Sequence, residues 1–388
     1  MKVLEITFVP PDKKSGGGLG VYQSIKSLAG NCEVDYIGPA YEIELFSDTI
    51  NKVHIHTILK SKKESKLLGI IRFFTKKVST SFYYSWMNCK NHINWEQYDF
   101  VHIEFSRYSF LINECHKYGK KCMIRIHNIE KDYAYNIYRM SRTMANKMRY
   151  YSFWINEKKV MKDGDMFIFL TNEDIKRAIE LYNLETEKIT KNPVCIDEKG
   201  QFLKCKKINE KKNILITGSL SYAPNIEGVL WFLNNVWEKL STEDIIDNAF
   251  LTIAGAHPNE SIKEAIKKYP NVRLIDTPNE MESLFRNADI YIAAVFDGAG
   301  MKVKVAEAFS YGLPIIGTKH AFIGYEDLHF GKYIADSESD FIRQIKDICC
   351  NRTLLESREK IYHLFCINIS MRSSIQRYKE YISKIGEK

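Results

Sequence analysis

The sequence predicts an α/β protein built from two doubly wound parallel-sheet domains. Three observations predict it. Short apolar runs rich in β-branched residues recur through the 388 residues, helix-length amphipathic stretches separate them, and one polar, poorly periodic stretch divides them into two sets. The first set falls at 3–9, 100–105, 122–126 and 166–170, the second at 213–217, 250–254, 272–275, 290–295 and 315–317. Runs that are apolar on both faces suit strands covered by helices on both sides. Strand–helix alternation then gives parallel sheets, with enough strands for two. The divider spans 188–212 and carries Asn192-Pro193, Asp197-Glu198-Lys199-Gly200 and a lysine-rich run from 204 to 212. It reads as an interdomain linker. The expected organisation is a first domain at 1–195, a linker at 196–212, a second domain at 213–365 and a terminal helix at 366–388.

Composition narrows the class. With 45% hydrophobic and 27% charged residues the chain is an ordinary globular protein, not a disordered tail, a collagen or a disulfide knot. A net charge of +8 is a mild excess over this length, and no nucleic-acid partner is expected. None of the nine cysteines forms a C-x-x-C pair, and Cys349 and Cys350 are adjacent, which points to reduced thiols. Glu5 interrupts the first apolar run where a signal peptide needs an apolar centre. No apolar run is long enough to span a bilayer. A cytoplasmic protein is expected, with the inner face of the cell membrane as a candidate site of association.

Two local patterns carry structural information. After Ala223-Pro224-Asn225, residues Val229, Phe232, Leu233, Val236, Trp237 and Leu240 form one helical stripe, with Asn225 as the expected N-cap. That stripe reads as core. The stretch from Phe296 to Pro314 is different. It follows a strand, opens on Gly298-Ala299-Gly300-Met301-Lys302-Val303-Lys304, runs as a helix through Glu307, and stops at Gly312 with Pro314 just beyond. A glycine turn feeding a helix presents free backbone N–H groups and the positive end of the helix dipole. Lys302 and Lys304 add two charges there, so the natural guest is a phosphate or diphosphate. Glu307 is placed to accept hydrogen bonds from a ribose hydroxyl pair.

At these residues the sequence resembles the retaining glycosyltransferases of family 4, which have the GT-B fold of two Rossmann-like domains facing across a cleft. Many members carry Gly-x-Gly-x-Lys-x-Lys-x-x-Glu-Ala followed by Gly-x-Pro, and 298–314 matches throughout. Where the better-known motif has its first glutamate, this chain has Ala299. Three more segments extend the resemblance over nearly the whole chain. Gly218-Ser219-Leu220-Ser221-Tyr222-Ala223-Pro224-Asn225 is similar to the loop that reaches the donor phosphates; the Arg and Lys often found just after it are missing here, which shifts that duty to Lys302 and Lys304. Gly16-Gly17-Gly18-Leu19-Gly20 resembles the flexible Gly-Gly loop that closes over donor and acceptor. Arg125-Ile126-His127-Asn128-Ile129-Glu130 resembles the segment whose histidine lies against the donor sugar.

The resemblance implies an acceptor-binding first domain, a nucleotide-sugar-binding second domain and a final helix that crosses back onto the first. The implied catalytic set is His127, Lys302, Lys304 and Glu307. The implied donor set is Gly17, Gly18, Gly218, Ser219, Tyr222, Asn225, Gly298, Ala299, Gly300 and Met301, with Glu130 on the acceptor side. From the residues alone, His127 is open to two readings: a ligand-facing group at a strand's C-terminal edge, or a histidine satisfied inside the fold. With lysines and a helix end in place, neither a metal nor a cofactor is expected beyond the donor, a UDP- or GDP-linked sugar. The implied reaction moves a sugar, with retention, to a hydroxyl of a glycan or lipid-linked acceptor in bacterial surface polysaccharide synthesis. The rivals are another GT-B nucleotide-sugar enzyme of epimerase type and a non-catalytic nucleotide-sugar or polyanion binder. Two basic, aromatic stretches, 60–77 and 139–162, fit helices lying on an anionic bilayer and equally fit solvated domain helices.

Overall fold

The computed structural model describes residues 1–13, 15–47, 52–58, 80–199, 211–241, 249–298, 300–329, 331–350 and 354–387. The basic 60–77 stretch, Ala299 and residues 200–210 of the anticipated linker lie outside them. The chain divides into two compact units, Met1–Val194 with Ser374–Lys388, and Cys195–Ser373.

The first unit holds β1 (Lys2–Ile6), β2 (Glu33–Gly38), β3 (Val53–Ile58), β4 (Phe100–Glu104), β5 (Cys122–Ile126), β6 (Met166–Phe169) and β7 (Ile189–Lys191). All pair in parallel, in the order β3-β2-β1-β4-β5-β6-β7. The order reverses between β1 and β4, and a doubly wound sheet opens its ligand crevice at that point. The second unit holds β8 (Lys212–Thr217), β9 (Ala249–Gly255), β10 (Val272–Asp276), β11 (Ile290–Ala293), β12 (Ile315–Gly317) and β13 (Lys332–Ile334). Its order is β10-β9-β8-β11-β12-β13, again all parallel, with the reversal between β8 and β11.

Every anticipated strand forms, some with shorter ends. β1 stops at Ile6 because the Thr7 hydroxyl donates to the Val9 carbonyl (2.9 Å) and accepts from the Val9 N–H (3.1 Å), turning the chain out of the sheet. The sequence did not reveal β2, β3, β7 and β13. β2 carries Asp35 at a buried position, where Lys2 (3.0 Å) and the Tyr98 hydroxyl (2.7 Å) satisfy it. β7 and β13 are three-residue edge strands, too short to show a period.

The expectation of strands apolar on both faces needs a correction in the first unit. Side chains alternate across a strand. Leu4, Ile6, Val101, Ile103, Ile124 and Ile126 join the apolar core on one face. On the other face β1, β4 and β5 carry Glu5, His102, Glu104 and Arg125, all fully buried. Helices Gly16–Ala29 and Met371–Glu387 cover these groups, linked to each other by the Ser27 and Ser374 hydroxyls at 2.7 Å.

In the second unit the stripe from Val229 to Leu240 is buried as anticipated. It lies on helix Ala223–Phe232, continued through a π-helical turn, Leu233–Trp237, into Glu238–Ser241. Asn225 is not the N-cap. Tyr222 holds that place, Pro224 sits in the first turn, and the Asn225 amide donates to the Ser219 carbonyl (2.9 Å). Gly228 lets the helix rest on the end of β11, since a Cβ there would overlap the Ala294 carbonyl. The unit boundaries fall at 194/195 and 373/374 instead of the anticipated 195/196 and 365/366. Residues ahead of Ser374 stay with the second unit because Ile196 exchanges backbone hydrogen bonds with Ile369 (3.0 Å) and Met371 (2.9 Å). No described helix is long and apolar enough to cross a membrane.

Candidate functional site

Each unit places a cluster of the singled-out residues at its own switch point. In the second unit the loops after β8 and β11 meet. Gly298 and Gly300 have φ of +106° and +73°, a backbone region that favours glycine. The turn they make leads into helix Val303–Ser310, whose N-cap, Lys302, supplies no side-chain cap. The first-turn N–H groups therefore have no partner from the cap side chain. A Cβ on Gly298 would stand 3.5 Å from the Tyr222 hydroxyl and 3.9 Å from Lys302 Nζ, so the 218–225 loop closes directly over the glycine turn. Tyr222 itself is exposed, Met301 is buried against Gly324, and Gly218 packs on the Asn225 amide.

The two lysines differ. Lys302 Nζ folds back to donate to the carbonyls of Gly298 (2.6 Å) and Gly300 (2.9 Å). Burial pulls its pKa down to about 8, with Asp297 opposing. Lys304 instead pairs with Glu307 at 2.7 Å, one helical turn on. Two residues the sequence did not point to complete the turn. His320 Nε2 lies 2.8 Å from the Gly298 carbonyl, and the buried Tyr325 hydroxyl donates to the Lys302 carbonyl (2.9 Å). Both come from the segment after β12, and neither sits in a recognisable spacing. Ser219 lies on the facing loop with its hydroxyl 3.2 Å from that of Ser221.

In the first unit the Gly16–Gly18 segment is not the flexible loop anticipated. It is the first turn of helix Gly16–Ala29, because Ser15 caps it by accepting from the Gly18 N–H (3.1 Å), and Asp12 accepts from both the Ser15 N–H (2.6 Å) and its hydroxyl (2.7 Å). Gly18 has no room for a Cβ beside Asp12, and Gly17 faces the Phe105 ring. Further along the helix, Gly20 supports the His127 ring: a Cβ there would overlap Cε1 and sit 2.7 Å from Nδ1.

His127 is 6% exposed and tied through Nε2 to Glu104. Its ring stacks on Phe105, centroids 4.0 Å apart, and the Arg107 guanidinium lies over the Phe105 ring at 4.5 Å. Phe105 has φ of +71°, a strained setting for a bulky side chain, held by these two contacts at the sheet's C-terminal edge. Burial pulls His127 below the ordinary histidine pKa, against the pull of Glu104. Burial would raise Glu104, but His127, His102 and Arg125 bring its pKa down to about 2.

Glu130 is fully buried and pairs with Arg107 Nε at 2.8 Å; burial pushes its pKa up to about 7 against that pairing. It opens helix Glu130–Met140, whose first N–H groups, Glu130 (2.8 Å) and Lys131 (3.0 Å), are accepted by Glu157 of helix Met144–Asp163. The 139–162 stretch is thus mostly one helix. Tyr151 and Trp154 are exposed on it, Tyr150 and Tyr151 both stack with Trp154, and Lys131 lies 5.3 Å over the Trp154 ring.

Residues 211–351 match the family model for glycosyl transferases group 1. An uncharacterised 44.6 kDa protein in the cps region of Klebsiella pneumoniae is 24% identical over 377 residues, covering 89% of this chain and 92% of that protein. Solved structures resemble the whole chain in fold. A glycosyltransferase from Rickettsia africae has a TM-score of 0.66 at 14% identity, covering 99% of this chain and 98% of that one. WaaG, a glycosyltransferase involved in lipopolysaccharide biosynthesis, gives 0.61 at 15%, covering 98% and 99%. Anabaena HepE in complex with UDP and glucose gives 0.63 at 11%, covering 99% of each chain. The second unit thus carries a match to the glycosyl transferases group 1 model over 211–351, and the chain's two Rossmann-like parallel sheets have the fold of these solved structures.

Proposed function

We propose that this enzyme moves a sugar from a nucleotide-sugar to a hydroxyl of an acceptor glycan or glycolipid, with retention at the anomeric carbon. The observation that carries the reading is the glycine turn at 298–300, which delivers the uncapped start of helix Val303–Ser310 with Lys302 beside it. In this reading the donor diphosphate takes the place of the two carbonyls that now hold Lys302, and Glu307 accepts from the ribose hydroxyls while Lys304 steadies it. Tyr222, Ser219, Asn225, Gly218 and Met301 shape the donor pocket. The anomeric C–O bond breaks with its electron pair passing to the β-phosphate. The acceptor oxygen attacks from the same face, and its proton passes to the departing phosphate oxygen. Charge builds on that phosphate, so fixed N–H groups and an ammonium lower the barrier; removing one such donor commonly costs on the order of 10²–10³-fold in rate.

UDP or GDP is the proposed nucleotide, and no metal or further cofactor is assigned a role. UDP bound to HepE supports the first choice. The cps region of the Klebsiella relative and the lipopolysaccharide role of WaaG support a setting in bacterial surface polysaccharide synthesis. His127 faces the transferred sugar, Gly17 and Gly18 lie beside it, and Glu130 orders the acceptor side through Arg107. The exposed Tyr151 and Trp154 on helix Met144–Asp163, framed by Arg142, Lys147, Arg149, Lys158 and Lys159, fit contact with an anionic bilayer holding the acceptor, at the inner face of the membrane. The test offers UDP-, GDP-, ADP- and CMP-sugars together with a bacterial glycolipid extract. Mass gain of one sugar on the acceptor, with the donor's anomeric configuration preserved by NMR, is expected. An inverted linkage overturns retention; an epimerised donor without acceptor product overturns transfer.

A further inference from the structure

Four ionisable side chains lie buried under the first sheet's helices, and the reaction as written uses none of them. Glu5 and His102 face each other across β1 and β4, with His102 Nδ1 and Glu5 Oε2 at 2.6 Å. Glu104 and Arg125 are register partners across β4 and β5. His102 Nδ1 lies 3.9 Å from Glu104 Oε1, and Glu104 Oε2 meets His127 Nε2. Tyr378, from the chain's last helix, joins the group: its hydroxyl lies 3.2 Å from Arg125 Nη1, 3.3 Å from His102 Nε2 and 3.3 Å from Ser24 Oγ. Buried charges are costly unless paired. Here an anion, a guanidinium and a histidine–carboxyl pair that can share one proton balance one another, and the chain of contacts ends on the one group at the ligand edge.

We propose that Glu104 is a positioning residue, which fixes the His127 ring with its proton on Nε2 and leaves Nδ1 as a bare acceptor for a hydroxyl of the transferred sugar. The inference rests on His127 facing that sugar, as proposed above. The carboxylate can only accept, so the nitrogen it meets must carry the proton. A histidine's tautomer is set by the bond its other nitrogen makes. Orientation is fixed independently: Phe105 stacks on one face of the ring, and Gly20 leaves the space its Nδ1–Cε1 edge occupies. His127, His102 and Arg125 hold Glu104 in its charged form. An acceptor nitrogen suits a sugar hydroxyl, which can donate; an imidazolium would need an acceptor instead.

The test has two arms. In ¹⁵N-histidine-labelled protein at neutral pH, the signal lost in His127→Ala is expected to show the neutral ring protonated on Nε2, and Glu104→Gln is expected to shift it toward a tautomer mixture. Protonation on Nδ1, or a doubly protonated ring, in the wild type overturns the proposal. This arm needs no donor, and its wild-type reading stands even where Glu104→Gln fails to fold. The second arm is a cycle of Glu104→Gln and His127→Ala, with turnover of the nucleotide-sugar that gives product above. Losing a supporting partner typically costs about 10–100-fold, so Glu104→Gln should lose that much in kcat/KM alone and less than about 2-fold on top of His127→Ala. Equal losses in both backgrounds reduce Glu104 to a structural group. Wild-type turnover by His127→Ala sinks the donor-sugar reading itself, whereas loss in His127→Ala with none in Glu104→Gln sinks only the positioning role.

Discussion

The two switch points use opposite electrostatic strategies. In the second unit, charge sits half-buried on a bent turn: Lys302 bonds backbone carbonyls and Lys304 a partly exposed glutamate, so both can change partners when a ligand arrives. In the first unit, charge is sealed in. Glu5, His102, Glu104 and Arg125 have no solvent access, and only the ring of His127 reaches the edge. An exchangeable cation suits a guest that brings its own negative charge. A locked network suits a neutral sugar, whose recognition depends on hydrogen-bond direction more than on field.

The sharpest way to break this contrast is to remove the second unit's charge. Lys302→Ala/Lys304→Ala should lower kcat/KM by on the order of 10²-fold or more. Its melting temperature should stay near wild type, because surface pairs such as Lys304–Glu307 contribute roughly 0–1 kcal/mol. A large drop in melting temperature would show that the lysines are structural. Next in size is Gly20→Ala, which pushes a methyl into the His127 ring. Overpacking of this kind costs roughly 1–3 kcal/mol, and kcat should fall about tenfold or more as the ring loses its seat. Urea denaturation beside a turnover assay measures both.

Two pH experiments sharpen the comparison further. Lys302, near 8, loses its proton as pH rises through that value, so nucleotide affinity should weaken between pH 7 and 9. Lys302→Arg should flatten that dependence. A smaller effect comes from the buried network. Burial pushes Glu5 up to about 7 against His102, and Glu5 and Glu104 raise His102 above its ordinary value in spite of its burial. Raised groups bind more protons folded than unfolded, so they destabilise the fold as pH climbs from about 4.5 through 7. Burial lowers His127, whose contribution runs the other way. Melting temperature should therefore decline over that window, and Glu5→Gln should reduce the slope.

The second unit was far more legible in the sequence than the first. Its glycine turn, lysines and helix are contiguous from 298 to 314, and a local spacing shows them. Even there, His320 and Tyr325 escaped notice, because they reach the turn from a different loop. The first unit's network joins Glu5, His102, Glu104, Arg125 and Tyr378, which only strand pairing and the returning last helix bring together. Their polar character also hid what they are: an acidic residue in an apolar run reads as a break, not as a buried partner. The Gly16–Gly18 segment misled in the other direction. Three glycines read as a loop, but a serine cap and an aspartate one turn earlier convert them into a helix start.

The most direct test is a thermal-shift screen of wild type and Lys302→Ala/Lys304→Ala against UDP-, GDP-, ADP- and CMP-sugars. A ligand at 100 times its Kd stabilises a fold by about 2.7 kcal/mol, enough to register. One nucleotide series should stabilise the wild type and leave the double variant unmoved. Equal stabilisation of both proteins would place the donor away from the 298–307 turn and contradict the central claim.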